Sequence, residues 1–386
     1  MFKKTLVAAA TLATLSAGAM AAQVQVYGVM DMGFTYSHIS HQENADKFEM
    51  SNNMYAGSRF GFKGTEDLGD GTKVGFILEN GFVPDTGALS ADGNIFNRES
   101  QLYLQGSWGQ LGFGRVGAFS SGSSSLGWYW DLEPFETGYI DAGVQASQVN
   151  VWRLNSNTIY YISPEFAGMK VGAQYSFTGE EANTQEADRW SDNNTFANVA
   201  VRWDGIDARA LFGVEWEKFG RPAVDGNNEQ VADRDDAWNL KLAAAWAPNG
   251  GPFTLYAGAS WYKNSDQFSD ATWDDEGYAN VGYDSTSGKR LDGYSFFVGG
   301  KYTVGAANWL AMFQYLDGEN KGAAADAVET DYKRYIGSVG CHYYLSKRTM
   351  LYTIASYADG DGLFDNLQSK TMTDRFLAHV GMTHFF

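Results

Sequence analysis

Gly112-Phe113-Gly114-Arg115-Val116-Gly117 has the G-x-G-x-x-G spacing of a phosphate-cradling turn. That chemistry requires a helix to open behind the turn, with its first N–H groups aimed at the phosphate, and no helical periodicity follows Gly117. A dinucleotide site is not expected. Metal chemistry fares no better. His38 and His41 share one polar stretch, but two histidines there read as surface residues. The acidic run Asp266, Asp270, Asp274, Asp275 and Glu276 lacks the glycine and ligand spacing of an EF-hand loop. The most it suggests is loose retention of divalent cations against lipopolysaccharide. Of the five histidines, His342, His379 and His384 lie in strand-like runs, and none sits in a nucleophile motif. Cys341 is the single cysteine, which excludes an internal disulfide and a Cys-based zinc cluster. No catalytic residue, metal or cofactor is expected.

The elements carrying these residues alternate with period two. Trp238, Leu240, Leu242, Ala244 and Trp246 share one face, with Asn239 and Lys241 on the other. Phe376, Ala378, Val380 and Met382 alternate with His379, Gly381 and Thr383. Successive side chains of a strand point to opposite faces, so such runs are strands. About sixteen can be marked, the first over Gln23–Tyr36, the second over Met54–Lys63 and the last over Thr373–Phe385. Mean hydropathy is −0.33, too low for a helical membrane protein. A transmembrane barrel tolerates it, because only alternate residues face lipid.

Residues 1–21 stand apart. Lys3 and Lys4 precede a short apolar stretch, and Ala19-Met20-Ala21 has the form of a signal-peptidase site, so export with cleavage after Ala21 is predicted. Loss of those two lysines takes the formal charge from −18 to −20. A surface so acidic does not suit nucleic acid, which needs a basic patch.

Short turns such as Ser107-Trp108-Gly109, Asp204-Gly205 and Ser346-Lys347 alternate with long connections. That is the pattern of an outer-membrane β-barrel with short periplasmic turns and long outer loops. Trp108, Tyr161, Trp203, Trp246, Tyr302 and Trp309 flank short turns; Tyr36, Phe177, Trp216, Trp261, Tyr315 and Tyr332 flank long loops. Two aromatic girdles are expected from them. Residues 116–153 form the longest connection. It carries Trp128, Tyr129, Trp130, Phe135, Tyr139 and Trp152, too many aromatics for a solvated loop, so it should pack into the barrel.

Several ordered segments resemble the general diffusion porins of proteobacteria. They are Ser58-Arg59-Phe60-Gly61-Phe62-Lys63-Gly64-Thr65-Glu66-Asp67-Leu68-Gly69, Phe96-Asn97-Arg98, Gly112-Phe113-Gly114-Arg115, Tyr160-Tyr161-Ile162-Ser163-Pro164-Glu165-Phe166, Tyr344-Leu345-Ser346-Lys347-Arg348-Thr349 and His384-Phe385-Phe386. The resemblance spans residues 22–386, although 179–293 matches only in pattern. It implies an all-β, antiparallel barrel of about sixteen strands, assembled as a homotrimer in outer-membrane lipid. It implies passive diffusion of ions and small hydrophilic solutes, with the third loop, 116–153, folded inward to constrict the pore. Phe386 resembles the C-terminal aromatic that the family's assembly machinery recognises. The alternative is a barrel enzyme of lipase or protease type, which would place Ser/His or Asp/His groups near the outer rim.

In the family, wall arginines face an acidic loop across the constriction. Arg59 matches by motif and, opposite Phe60 and Phe62, should point into the lumen. Arg98 matches too, yet alternation from Leu102 and Leu104 turns it outward and puts Glu99 inside, unless a bulge or bend re-aims it. Arg115 has the same conflict beside Leu111 and Phe113, and Arg153 stands one residue before the family's usual arginine. Asp131, Glu133 and Glu136 are the expected acidic partners. Weak cation selectivity, growing at low salt, is the expectation.

Overall fold

The computed structural model describes residues 23–40, 44–91, 93–177, 194–219, 223–224, 230–232, 234–270, 288–323, 325, 327–366 and 373–386. The predicted signal peptide, His41, and Asp274, Asp275 and Glu276 of the acidic run lie outside them.

Sixteen wall strands follow one another around a closed antiparallel sheet. They are β1 (Gln23–Ile39), β2 in two pieces (Asp46–Asn52 and Arg59–Gly69), β3 (Thr72–Val83), β4 (Glu99–Gly106), β5 (Gly109–Gly117) and β6 (Leu154–Ile162). Then come β7 (Met169–Ser176), β8 (Thr195–Asp204), β9 (Ala208–Lys218), β10 (Ala237–Trp246) and β11 (Phe253–Ser265). The circuit ends with β12 (Leu291–Val304), β13 (Ala307–Asn320), β14 (Asp331–Tyr344), β15 (Thr349–Gly362) and β16 (Arg375–Phe385). Pairing of β1 with β16, Met32 opposite Met382, closes the ring. Closure removes every sheet edge, which a wall in lipid requires.

The burial pattern is inverted relative to a soluble protein. Val199 and Trp203 of β8 are exposed, whereas the residues just before them, Asn198 and Arg202, are buried. Along β12, Tyr294, Phe296 and Val298 face out and Ser295 and Phe297 face in. Apolar side chains therefore meet lipid and polar ones line the lumen. No helix among the described residues is long and apolar enough to cross a membrane. Trp108, Trp203, Trp246 and Trp309 stand on the outer surface near the short turns. Tyr332 differs from expectation: it is fully buried, facing the lumen, because it shares the inward parity of Arg334.

The second strand also differs. It begins earlier than predicted, at Asp46, and is interrupted at 53–58. Asn53 there takes a left-handed φ of 60°, and the chain leaves the wall. The buried Asp31 carboxylate holds the excursion. It accepts the N–H groups of Tyr55 (3.0 Å) and Ala56 (3.1 Å) and the hydroxyls of Tyr352 (2.9 Å) and Thr383 (2.8 Å). Four donors around one carboxylate supply the hydrogen bonds that burial of its charge demands.

Candidate functional site

The connection between β5 and β6 crosses the lumen. Its side chains meet inward-facing wall residues on three sides, so the loop is bolted at both ends of its path. Where it leaves β5, Asn198 Oδ1 accepts the Phe119 N–H at 3.0 Å, and Lys241 Nζ donates to the carbonyls of Ser120 (3.2 Å) and Asn150 (2.9 Å). Lys241 is fully buried and is balanced by Glu215 at 3.2 Å. On the far side Asp141, also fully buried, accepts from Arg334 Nη2 at 2.8 Å and Arg375 Nε at 2.7 Å. Burial alone would raise the Asp141 pKa, but Arg375 and Arg334 hold it down at about 2. Between these anchors the Tyr139 hydroxyl meets His342 Nε2 at 2.9 Å. Gly299 makes room for the tip: a Cβ there would lie 2.8 Å from Pro134 Cγ.

A second contact comes from the loop after β11. Asp270 accepts the N–H groups of Asn150 and Trp152, both at 2.8 Å. Phe268 packs on Tyr332 and Phe364, with ring centroids 4.5 and 4.9 Å apart. Asp266 pairs with Arg234 at 2.6 Å and Arg290 at 3.4 Å. The described part of the acidic run thus has protein partners, and no group of three His, Cys, Asp or Glu among the described residues is placed to hold a metal.

The three predicted acids take different places. Asp131 is partly exposed and clamped by Arg202 (2.8 Å) and Arg209 (2.6 Å). Glu136 accepts the Tyr55 hydroxyl, and burial raises its pKa. Glu133 is 1% exposed and turns back into its own loop, accepting the N–H groups of Phe135 (2.8 Å) and Thr137. Burial pushes its pKa up to about 8.

The arginines divide as well. Arg59 and Arg98 converge on Glu79 of β3, at 3.3 and 2.7 Å. Arg98 precedes β4 by one residue, so strand alternation does not constrain it, and both it and Glu99 face inward. Arg115 sits where the β5–β6 register shifts between Gly114 and Val116. It donates to the Asn97 carbonyl (2.5 Å) and Ser156 Oγ (2.7 Å). Arg153 is buried against the Phe196 ring and pairs with Glu217 at 2.9 Å, away from the acidic tip. Arg202 and Arg209 escaped sequence reading. Alternation places Arg202 inward between Val201 and Trp203, a signal that was available.

Arg59, Lys63, Glu79, Arg98, Trp130 and Asp131 border a cavity of about 540 Å³ between the loop and the wall of β1–β4. Phe386 reaches the same space. It continues the seam past β16, exchanging backbone hydrogen bonds of 3.1 Å with Gly28 in both directions.

Comparison with known proteins agrees with this architecture. Residues 7–363 match the family described as Gram-negative porin. An outer membrane porin protein of Bordetella pertussis is 29% identical, over 100% of both chains. Outer membrane porin protein 32 of Delftia acidovorans is 28% identical, over 95% of this chain and 93% of its own. The solved anion-selective porin from Comamonas acidovorans is similar in fold, with a TM-score of 0.67 at 22% identity, covering 95% of this chain and all of that one. The sixteen-stranded wall, its polar interior and the family match lead to one conclusion: this chain belongs to the Gram-negative porin family and forms an outer-membrane channel for passive diffusion.

Proposed function

We propose that the space beside the loop is the pore constriction, lined by Asp131 and Glu136 on the loop and by Arg59, Arg98, Arg202 and Arg209 on the wall. Ions and small hydrophilic solutes pass it by diffusion, and it prefers anions. The observation that carries this reading is that Asp131, whose side chain is 38% exposed, is matched by two arginines. Weak cation selectivity was the expectation from sequence, where three loop acids opposed one or two arginines. The geometry supports the opposite sign, since Glu133 is buried and two further arginines join the wall. The outer loops are acidic, but at 0.1 M salt fields fade over about 10 Å. Charges at the constriction act at closer range.

The porin assembles as a homotrimer in outer-membrane lipid beside lipopolysaccharide, is exported by the cleaved segment 1–21, and presents Phe386 to the assembly machinery. Arg115, Arg153 and Glu133 hold the loop and its neighbours in place rather than facing solutes. A channel is favoured over a lipase or protease by the match to a porin family over residues 7–363. His342 bonds Tyr139, His379 bonds Thr35 and His384 bonds Thr349. His38 does pair with Asp46, but both are solvent-exposed and Asp46 also takes the Tyr36 hydroxyl. The test is planar-bilayer recording on purified protein, alongside light scattering in mild detergent. Conductance rising in steps from a trimer supports the reading; silence with hydrolytic activity, or a monomer, counts against it.

Two conservative changes separate pore-facing from buried acids. Glu136→Gln should move the KCl reversal potential toward anions, because it removes a charge beside the passage. Glu133→Gln should leave the reversal potential in place. Its raised pKa also has a linkage consequence. The protonated form is favoured on folding, so its contribution is complete below about 4.5, the ordinary glutamate value, and is lost as pH rises through about 8. Thermal melts should therefore show Glu133→Gln gaining stability over wild type at pH 9 and little at pH 4. A reversal-potential shift in Glu133→Gln equal to that in Glu136→Gln would place both acids in the passage.

A further inference from the structure

Around the 540 Å³ cavity the carboxylates are satisfied and the cationic donors are not. Glu79 accepts from the Tyr27 hydroxyl at 3.0 Å and Arg98 Nε at 2.7 Å, and Arg59 Nε lies 3.3 Å away. Glu99 accepts from Gln101 Nε2 (2.6 Å), Ser125 Oγ (2.5 Å) and the Ser125 N–H (3.1 Å). Asp131 accepts three N–H groups from Arg202 and Arg209. Arg59 spends Nη1 on the Gly57 carbonyl at 2.8 Å. By contrast, Arg98 Nη1 and Nη2 and Arg59 Nη2 make no hydrogen bond among the described residues. The Lys63 ammonium has only the Tyr27 ring, 4.9 Å from its centroid. Saturated acceptors beside spare cationic donors define a site for a negative group. A guanidinium with two free terminal N–H groups suits a carboxylate, which it can grip in parallel.

The other half of the site is apolar. Trp130 and Trp152 border the same cavity, and Trp130 is held edge-on by Tyr55, with centroids 5.8 Å apart at 71°. An inorganic ion uses the donors but gains nothing from two indoles. The volume also exceeds what an ion needs and falls within the roughly 300–1,000 Å³ of small-molecule sites. Offset or edge stacking on indole adds attraction beyond the area the ring buries.

We infer that this cavity is a binding subsite for small aromatic carboxylates, the carboxylate on Arg98 and Arg59 and the ring against Trp130 and Trp152. The inference rests on the reading above that this space lies on the diffusion path. Benzoate is the probe, with acetate and benzyl alcohol as its charge-only and ring-only counterparts. Two measurements are made on the trimer: block of KCl current in bilayers, and calorimetry in detergent. Benzoate should block at concentrations at least tenfold below acetate, and benzyl alcohol should block weakly. Trp130→Leu should bring benzoate down to the acetate level, whereas Arg98→Gln should weaken both carboxylates. Benzoate heat without current block would support the site and remove it from the path. Equal benzoate and acetate in both measurements, with KCl conductance intact, overturns the proposal and leaves the diffusion reading standing.

Discussion

Asp141→Asn should raise single-channel conductance and convert a quiet open level into rapid flicker. Asp141 is buried between two guanidiniums, Arg334 from β14 and Arg375 from β16. Asparagine keeps the shape but leaves two buried cations without a counter-charge. Breaking a buried pair in this way costs about 3–5 kcal/mol, mostly the penalty on the orphaned charge. That cost falls on the contact fixing the far side of the loop. The Lys241–Glu215 anchor remains, so the loop should swing rather than detach from both walls. Bilayer recordings test the electrical side, and hydrogen exchange over residues 138–148 tests the mechanical one. Unchanged exchange and conductance would show that Gln314 and Ser147, which share a 2.8 Å bond, suffice to hold the loop. The wild type should approach the mutant in strong acid. Because its folded pKa is depressed, Asp141 contributes stability above about 3.8 and loses it as pH falls through about 2.

Arg59→Gln combined with Arg98→Gln should reverse the ion preference. The two guanidiniums share Glu79, so removing both leaves that carboxylate with the Tyr27 hydroxyl as its remaining partner. Glutamine retains much of the bulk, and the width of the passage should change little. The local balance then passes from surplus positive to surplus negative. The reversal potential across a KCl gradient should change sign, and the change should persist at 1 M salt, where the Debye length is about 3 Å and distant loop charges no longer count. A reversal potential equal to that of wild type would move the selective charges elsewhere, to Arg202 and Arg209 first. The single substitutions should fall between, because either arginine alone can still neutralise Glu79.

Much of this was legible from residue order, for a physical reason. A barrel strand reports its two environments in alternation, and Trp238–Trp246 or Phe376–Met382 can be read almost directly. The outer ends were harder. Asp46–Asn52 and the ends of β13 and β15 stand above the apolar band, where Asp, Asn and Gly look like loop residues although the backbone ladder continues. The β2 interruption depends on Asp31 capturing two N–H groups some two dozen residues away, which no local pattern records. At the site, Arg59 followed parity, Arg98 escaped it by lying just before its strand, and Arg115 was re-aimed by a register shift. Glu133 carried no such signal. Whether a loop carboxylate faces water or turns onto its own backbone depends on tertiary packing, and its neighbours Asp131 and Glu136 give no hint of the difference.

The pairing of Asp141 with Arg375 has a consequence for biogenesis. Each hairpin of the wall joins segments adjacent in the chain, contacts that form early because little chain entropy is lost in closing them. Arg375 lies 234 residues from Asp141, on the strand that completes the ring, and Thr35 meets His379 across a separation of 344. The loop therefore completes its far anchor only when the last strand has docked on the first, although Arg334 of β14 can hold Asp141 sooner. Until then Arg375 is missing from that anchor, and the throat of the nascent barrel is less tightly closed. A pulse-chase of newly inserted protein should find large dyes admitted first and excluded later, with the loss of permeation coinciding with β1–β16 joining.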